Sequence, residues 1–282
     1  MTCLDVLLHI ESYPTQTDPS AIDEAVAVAA SLGGGLTGLA IEVELSGRSN
    51  RLADYVLGLN GLAEEEEARS RAAGRECLEG LAKSAEATGI IPSVILARVN
   101  PYEAADHVAK IARTYDICLL PLFEWNDSRV EVAQAIVCSS GRPLLIFRSG
   151  DAAGLASGPD LVVIAWDGSR NAARAMADAM PILTRARQVR LLTVLNDKPE
   201  ATASLGLDAQ RHLRAHGIEA ALETVDRDSV DIGSTLDQYI QLHAPDLLVM
   251  GAYGHSRARE YLLGGATEYM LNHPRCPVFL SN

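Results

Sequence analysis

The chain has 282 residues, a net charge of −13, and 48% hydrophobic against 22% charged residues. That length holds two ordinary domains, each able to bury a core, and the composition is that of a water-soluble globular protein. The acidic balance argues against a nucleic-acid or anionic-membrane partner, because phosphate-rich surfaces require basic ones.

A first buried strand is expected at 4–10 (LDVLLHI). No basic leader precedes it, so a secretory signal is not expected. An Ala-rich helix follows at 21–32, then Gly33, Gly34 and Gly35, then a second strand at 36–43. The glycine run precedes a strand instead of following one, so it lacks the context of a dinucleotide loop. Ser31 and these glycines also divide 25–41 into helix end, turn and strand, which excludes a membrane span there. Segment 49–89 reads as an insertion of one or two solvated helices, with Glu64, Glu65, Glu66 and Glu67 on an exposed face. A helix at 102–115, a strand at 116–121, a further helix and a strand opened by Pro143 complete the first half.

Small and turn-forming residues at 149–159 read as a linker. The second half then repeats the same order, with a strand at 161–166, a helix at 171–183, a strand at 189–195, a helix at 230–243, a strand at 246–250 and a last strand opened by Pro277. Continuous apolar strands that alternate with helices predict a parallel sheet covered on both faces. The expected fold is therefore α/β, with two tandem five-stranded, Rossmann-like parallel-sheet domains of strand order 3-2-1-4-5. The first domain spans 1–148 with its insertion, and the second spans 160–282. The five cysteines (Cys3, Cys77, Cys118, Cys138, Cys276) form no close pair. A reducing cytoplasm is the simplest compartment for them.

In a sheet of this order, ligands bind beyond the carboxyl ends of strands one and four. In the second half these ends read Trp166-Asp-Gly-Ser169 and Met250-Gly-Ala-Tyr-Gly254. After nine intervening residues come Gly264, Gly265, Ala266 and Thr267, at the start of a helical segment. Glycine lets backbone approach an anion, and free N–H groups at a helix start point toward it. His255, Arg257 and Arg259 add local positive charge.

The spacing Gly251-x-x-Gly254, nine residues, Gly264, together with YLLGGATE at 261–268 and the closing PRCPVFL at 274–280, resembles the nucleotide loop of the universal stress protein family. The layout of both halves is similar to the family's tandem form, although the specific motif lies only in the second. The resemblance implies an adenine nucleotide alpha hydrolase-like fold and a bound ATP or AMP, with or without Mg. It implies that Asp167 lies at the adenosine end, that the backbone near Val194 lies beside the base, and that Met250, Gly251, Gly254, His255 and Gly264 lie along ribose and phosphates. The amides of Gly265, Ala266 and Thr267 would then face the phosphates. ATP-binding members carry serine or threonine where this chain has Gly265, so one phosphate hydroxyl is missing. The resemblance also implies that the halves pair within the chain as a pseudo-dimer, and that two chains can associate as a homodimer.

Each position has a plainer alternative. Asp167 can stabilise the turn before a helix, Gly251 and Gly254 can serve turn geometry, and Thr267 can be a helix N-cap. In the first half, strand four exits into PLFEWNDS at 121–128 and strand one into Glu11-Ser-Tyr-Pro14. Bulky and acidic groups are expected to fill the phosphate space, so no nucleotide site is expected there. Two other chemistries fit the residues less well. Gly254-His-Ser256-Arg-Ala258 approaches a serine-hydrolase elbow but ends in alanine. His212 and His216 share a helix face without the acid of a zinc motif. No general base or metal carboxylate pair stands out, so the expected role is a nucleotide-linked stress or signalling adaptor without dedicated catalysis, and the alternative is a ligand-free oligomerisation module.

Overall fold

The structure, a computed structural model, describes residues 4–45, 59–122, 127–196, 202, 204–227, 230–252 and 265–282. In the first half, apolar runs form β1 (Asp5–Ile10), β2 (Gly35–Val43), β3 (Ser93–Val99), β4 (Ile117–Leu122) and β5 (Leu144–Arg148). The second half supplies β6 (Leu161–Ala165), β7 (Gln188–Leu195), β8 (Ala220–Asp226), β9 (Leu247–Gly251) and β10 (Val278–Ser281). The helices of the first half are α1 (Pro19–Ser31), α2 (Leu59–Glu86), α3 (Pro101–Ala112) and α4 (Asp127–Ala135), the last continued by a π-helical turn, Ile136–Ser140. A short α5 (Ala153–Ser157) connects the halves, and α6 (Arg170–Asp178), α7 (Met180–Leu183), α8 (Leu207–Ala215), α9 (Ile232–His243) and α10 (Gly265–Asn272) follow.

Local chemistry sets several of these boundaries. Asp18 accepts from the Ser20 amide at 2.8 Å and Asn100 from the Tyr102 amide at 3.1 Å, each directly before a proline at the first helical position. The helix expected over 171–183 is split into α6 and α7, next to Pro181, whose nitrogen carries no hydrogen to donate. The glycine run 33–35 has a steric reason. A Cβ on Gly34 would lie 1.8 Å from the Leu4 carbonyl oxygen, so only glycine lets the chain pass there into β2.

The strands run in the order β3-β2-β1-β4-β5-β10-β9-β6-β7-β8. Each half keeps the expected 3-2-1-4-5 order with parallel pairing. The halves differ from two separate sheets in one respect: β5 and β10 pair antiparallel and merge them into a single ten-stranded sheet. Ile146 lies opposite Val278, Leu145 opposite Phe279 and Leu144 opposite Leu280. All six side chains are buried, and Phe279 is 1% exposed. Alternate residues of each strand face opposite layers. Val6, Leu8 and Ile10 pack toward α1 and α2, whereas Leu7 and Leu120 pack toward α3 and α4.

The solvated reading of the insertion needs correction. Glu64 and Glu65 are exposed, but Glu67 is buried, accepting from the Leu45 amide at 2.8 Å and from Arg98 at 2.9 Å. Helical periodicity explains this. Glu67, Ser70, Gly74, Cys77, Leu78 and Leu81 recur at three- and four-residue steps and form the face that covers β2. The stretch 149–159 is tied down as well as connecting. The amides of Gly150 and Ala152 donate to Glu24 of α1, and Leu155 is buried.

Two outcomes follow from this packing. Phe279→Ala should lower unfolding free energy by about 3–5 kcal/mol, through lost burial and a residual cavity at the junction, read as a shift of the guanidinium midpoint. His9, 3% exposed on β1, has its pKa lowered from 6.5 to about 4, first by burial and then by the charge of Arg129. Its folded state therefore binds fewer protons than the unfolded chain. Stability from this group is complete above pH ~6.5 and is lost as pH falls through ~4, by about 3 kcal/mol in total. Midpoints at pH 7 and pH 4 should differ by that much less in His9→Gln than in the wild type.

Candidate functional site

The ends of β6, β7 and β9 lie side by side in the second half. After β6 ends at Ala165, the Trp166 amide donates to the Leu192 carbonyl at 2.8 Å, and its indole Nε1 donates to the Leu205 carbonyl at 3.2 Å. Asp167 is exposed at the rim, and its Oδ1 accepts from the Ser169 amide at 2.9 Å. Gly168 takes φ +72° between them. Ser169 then caps α6 by accepting from the Ala172 amide at 3.1 Å. The turn role open to Asp167 is thus present, and the carboxylate remains at the surface of the crevice.

Register brings the two strand ends side by side: Ala165 pairs with Met250. Gly251 follows, and it has no room for a side chain. A Cβ there would lie 2.5 Å from the Ala172 nitrogen and 2.9 Å from the Asn171 Cβ. The absence of a side chain at 251 lets the first turn of α6 sit against the end of β9. Asn171, 6% exposed, locks that contact by donating to the Ala252 carbonyl and, at 2.8 Å, to the Asn282 side chain. The Ala252 amide in turn donates to the Ser281 carbonyl at 2.8 Å.

The remaining expected residues divide into two groups. Val194 on β7 and Ala266 on α10 are partly buried against the same apolar layer as Met250, and Ala165 joins them. Gly265 opens α10, and among the described residues nothing lies within 4 Å of where its Cβ would be. Thr267 is not the N-cap of that helix. It lies within the first turn, buried to 3% exposure. Gly265, Ala266 and Thr267 form the first turn of the helix as described. Gly254, His255 and Gly264, with Ser256, Arg257 and Arg259, lie outside the described residues. His212 and His216 meet edge to face, with ring centroids 4.9 Å apart. Among the described residues no group of three or more His, Cys, Asp or Glu is gathered as a metal site. No helix among them is long and apolar enough to cross a membrane.

Sequence reasoning missed Asn171 and the indole of Trp166. The signal for Asn171 was faint, a single polar residue on the first turn after strand one. Its buried position follows only from the close approach that Gly251 permits.

The second half is thus a doubly wound α/β sheet with a carboxylate just beyond the end of β6, beside the end of β9. Residues 160–281 match the model of the universal stress protein family. A curated universal stress protein of Synechocystis is 31% identical over 120 residues, which cover 42% of this chain and only 40% of that relative's length. The crystal structure of a universal stress protein from Archaeoglobus fulgidus superposes with a TM-score of 0.67 over 98% of both chains at 18% identity. A second crystal structure, from Pseudomonas aeruginosa, gives 0.58 at 14% identity, over 99% of this chain and 93% of that one. These two likenesses concern the fold, and they extend it to both halves. The match to the universal stress protein family thus lies in the second half of the chain.

Asn171→Ala should destabilise the protein by about 1–3 kcal/mol, because it leaves the buried Ala252 carbonyl without this donor. Gly251→Val should cost more than Asn171→Ala, since α6 must move. Urea midpoints of the two variants measure both effects.

Proposed function

We propose that this stress-response protein binds an adenine nucleotide, ATP or AMP, in the crevice of its second half and acts as a nucleotide-linked adaptor without dedicated catalysis. The observation that carries the reading is the register that sets the end of β6 beside the end of β9, with Asp167 on one exit and the glycine-bracketed segment starting at Gly251 on the other. In this reading Asp167 accepts from adenosine donors and the backbone near Val194 lies beside the base. The amides of Gly265, Ala266 and Thr267 donate to phosphate oxygens. Gly254, His255 and Gly264 continue the same loop in sequence. Mg would accompany the phosphates of ATP, which add the anionic ligands it needs.

Gly265 is the point at which the chain departs from ATP-binding relatives. No described residue lies within 4 Å of where its Cβ would be. Gly265→Ser should therefore leave stability within about 0.5 kcal/mol, as for a surface change. It should tighten ATP about 3- to 10-fold, the worth of roughly one ordinary hydrogen bond. Asp167→Ala should weaken binding about tenfold. Isothermal titration calorimetry on the full chain reads both. Chromatography of the supernatant of denatured, freshly purified protein should show released adenine nucleotide. Protein that releases none and gives no heat with ATP or AMP would instead be a ligand-free structural module.

A further inference from the structure

The first half contains a cavity of about 140 Å³ where filled space was expected. It lies between the carboxyl ends of β1 and β2 and the helices α3 and α4. Tyr13 and Pro14, expected to fill this space, line it instead. Its wall is largely apolar: Ile41 and Val43 come from β2, Ala104 and Ala105 from α3, and Val132 from α4.

One polar group of this wall stands out. His9 is 3% exposed, and its Nδ1 has no hydrogen-bond partner in the protein. Burial and the neighbouring Arg129 keep the ring neutral at physiological pH, and in its Nε2–H tautomer Nδ1 carries the free lone pair. Nδ1 is then a bare acceptor at the wall of an apolar cavity. Buried acceptors ordinarily find a donor, either in the protein or in something bound. Ser12, Glu11 and Arg129 beside it are committed. The Ser12 hydroxyl bonds the Ile41 carbonyl and, at 2.8 Å, Ser70. Arg129, 1% exposed, holds Glu11 at 2.7 Å.

The charge of the lining points the same way. Glu131 contributes a carboxylate, the Glu11 carboxylate is paired with Arg129, and among the described residues no lysine or arginine lines the cavity. Such a wall repels phosphate and accepts a neutral or cationic guest. We propose that this cavity is a binding site for a small neutral or cationic aromatic molecule that donates an N–H or O–H to His9 Nδ1, and that it excludes nucleotides. Glu131, exposed on α4, is the carboxylate that would meet an amine on such a ligand. The inference is independent of the nucleotide reading of the second half.

The test uses the full chain with ¹⁵N-labelled histidine and three probes: indole, phenol and tryptamine. The expected result is a saturable shift of the His9 Nδ1 resonance with at least one probe, and tryptamine binding several-fold tighter than indole. Binding should weaken at least tenfold in His9→Leu. It should also be lost in Ala105→Trp, which fills the cavity from α3 and leaves His9 in place should the first variant fail to fold. Saturating ATP should not displace the probe. The proposal is overturned if no probe moves the His9 resonance, if probe affinity survives Ala105→Trp, or if ATP competes. Calorimetry with Asp167→Ala reports on the second-half site alone, so failure of one site is distinguishable from failure of the other.

Discussion

The antiparallel pairing of β5 with β10 is the contact on which the architecture depends. A five-stranded parallel sheet leaves its fifth strand at an edge, with unpaired N–H and C=O groups and apolar side chains that invite other strands. Here each half covers the other's edge. Leu144, Leu145, Ile146, Val278, Phe279 and Leu280 are all buried in the result. The sheet is thereby continuous from β3 to β8, and both crevices are held by one scaffold.

On that scaffold the two halves follow different chemistry from the same topology. In the second half, the missing side chain at Gly251 lets α6 approach, Asn171 fixes the approach, and Asp167 is left at the rim. In the first half, the equivalent strand ends carry His9 and Glu11, and a buried arginine is spent on the glutamate. One crevice combines a carboxylate with helix-start amides, and the other combines a neutral imidazole with apolar walls and carboxylates.

Much of this was legible in the sequence. The alternation of apolar strands with helices, repeated on both sides of 149–159, predicted the fold class and the strand order within each half, because continuous burial forces apolar runs at every strand. What was not legible depends on contacts between distant segments. The acid run read as one solvated face, yet Glu67 points inward because its helix lies over β2 and Arg98 is there to meet it. Gly251 read as a loop glycine with an anion-facing role, and its steric need comes from Asn171 and Ala172, about eighty residues earlier in the chain. The first-half cavity was hidden because Glu11, Tyr13 and Pro14 look bulky in sequence, whereas in space they stand around an opening.

The central claim is that the amides at the start of α10 face a bound adenine nucleotide. The most direct measurement is the amide proton spectrum of the full, ¹⁵N-labelled chain during titration with ATP. The account predicts saturable downfield shifts at Gly265, Ala266 and Thr267, with a concurrent shift at Asp167. Shifts confined to the first half, or a spectrum unchanged at millimolar ATP, would contradict it.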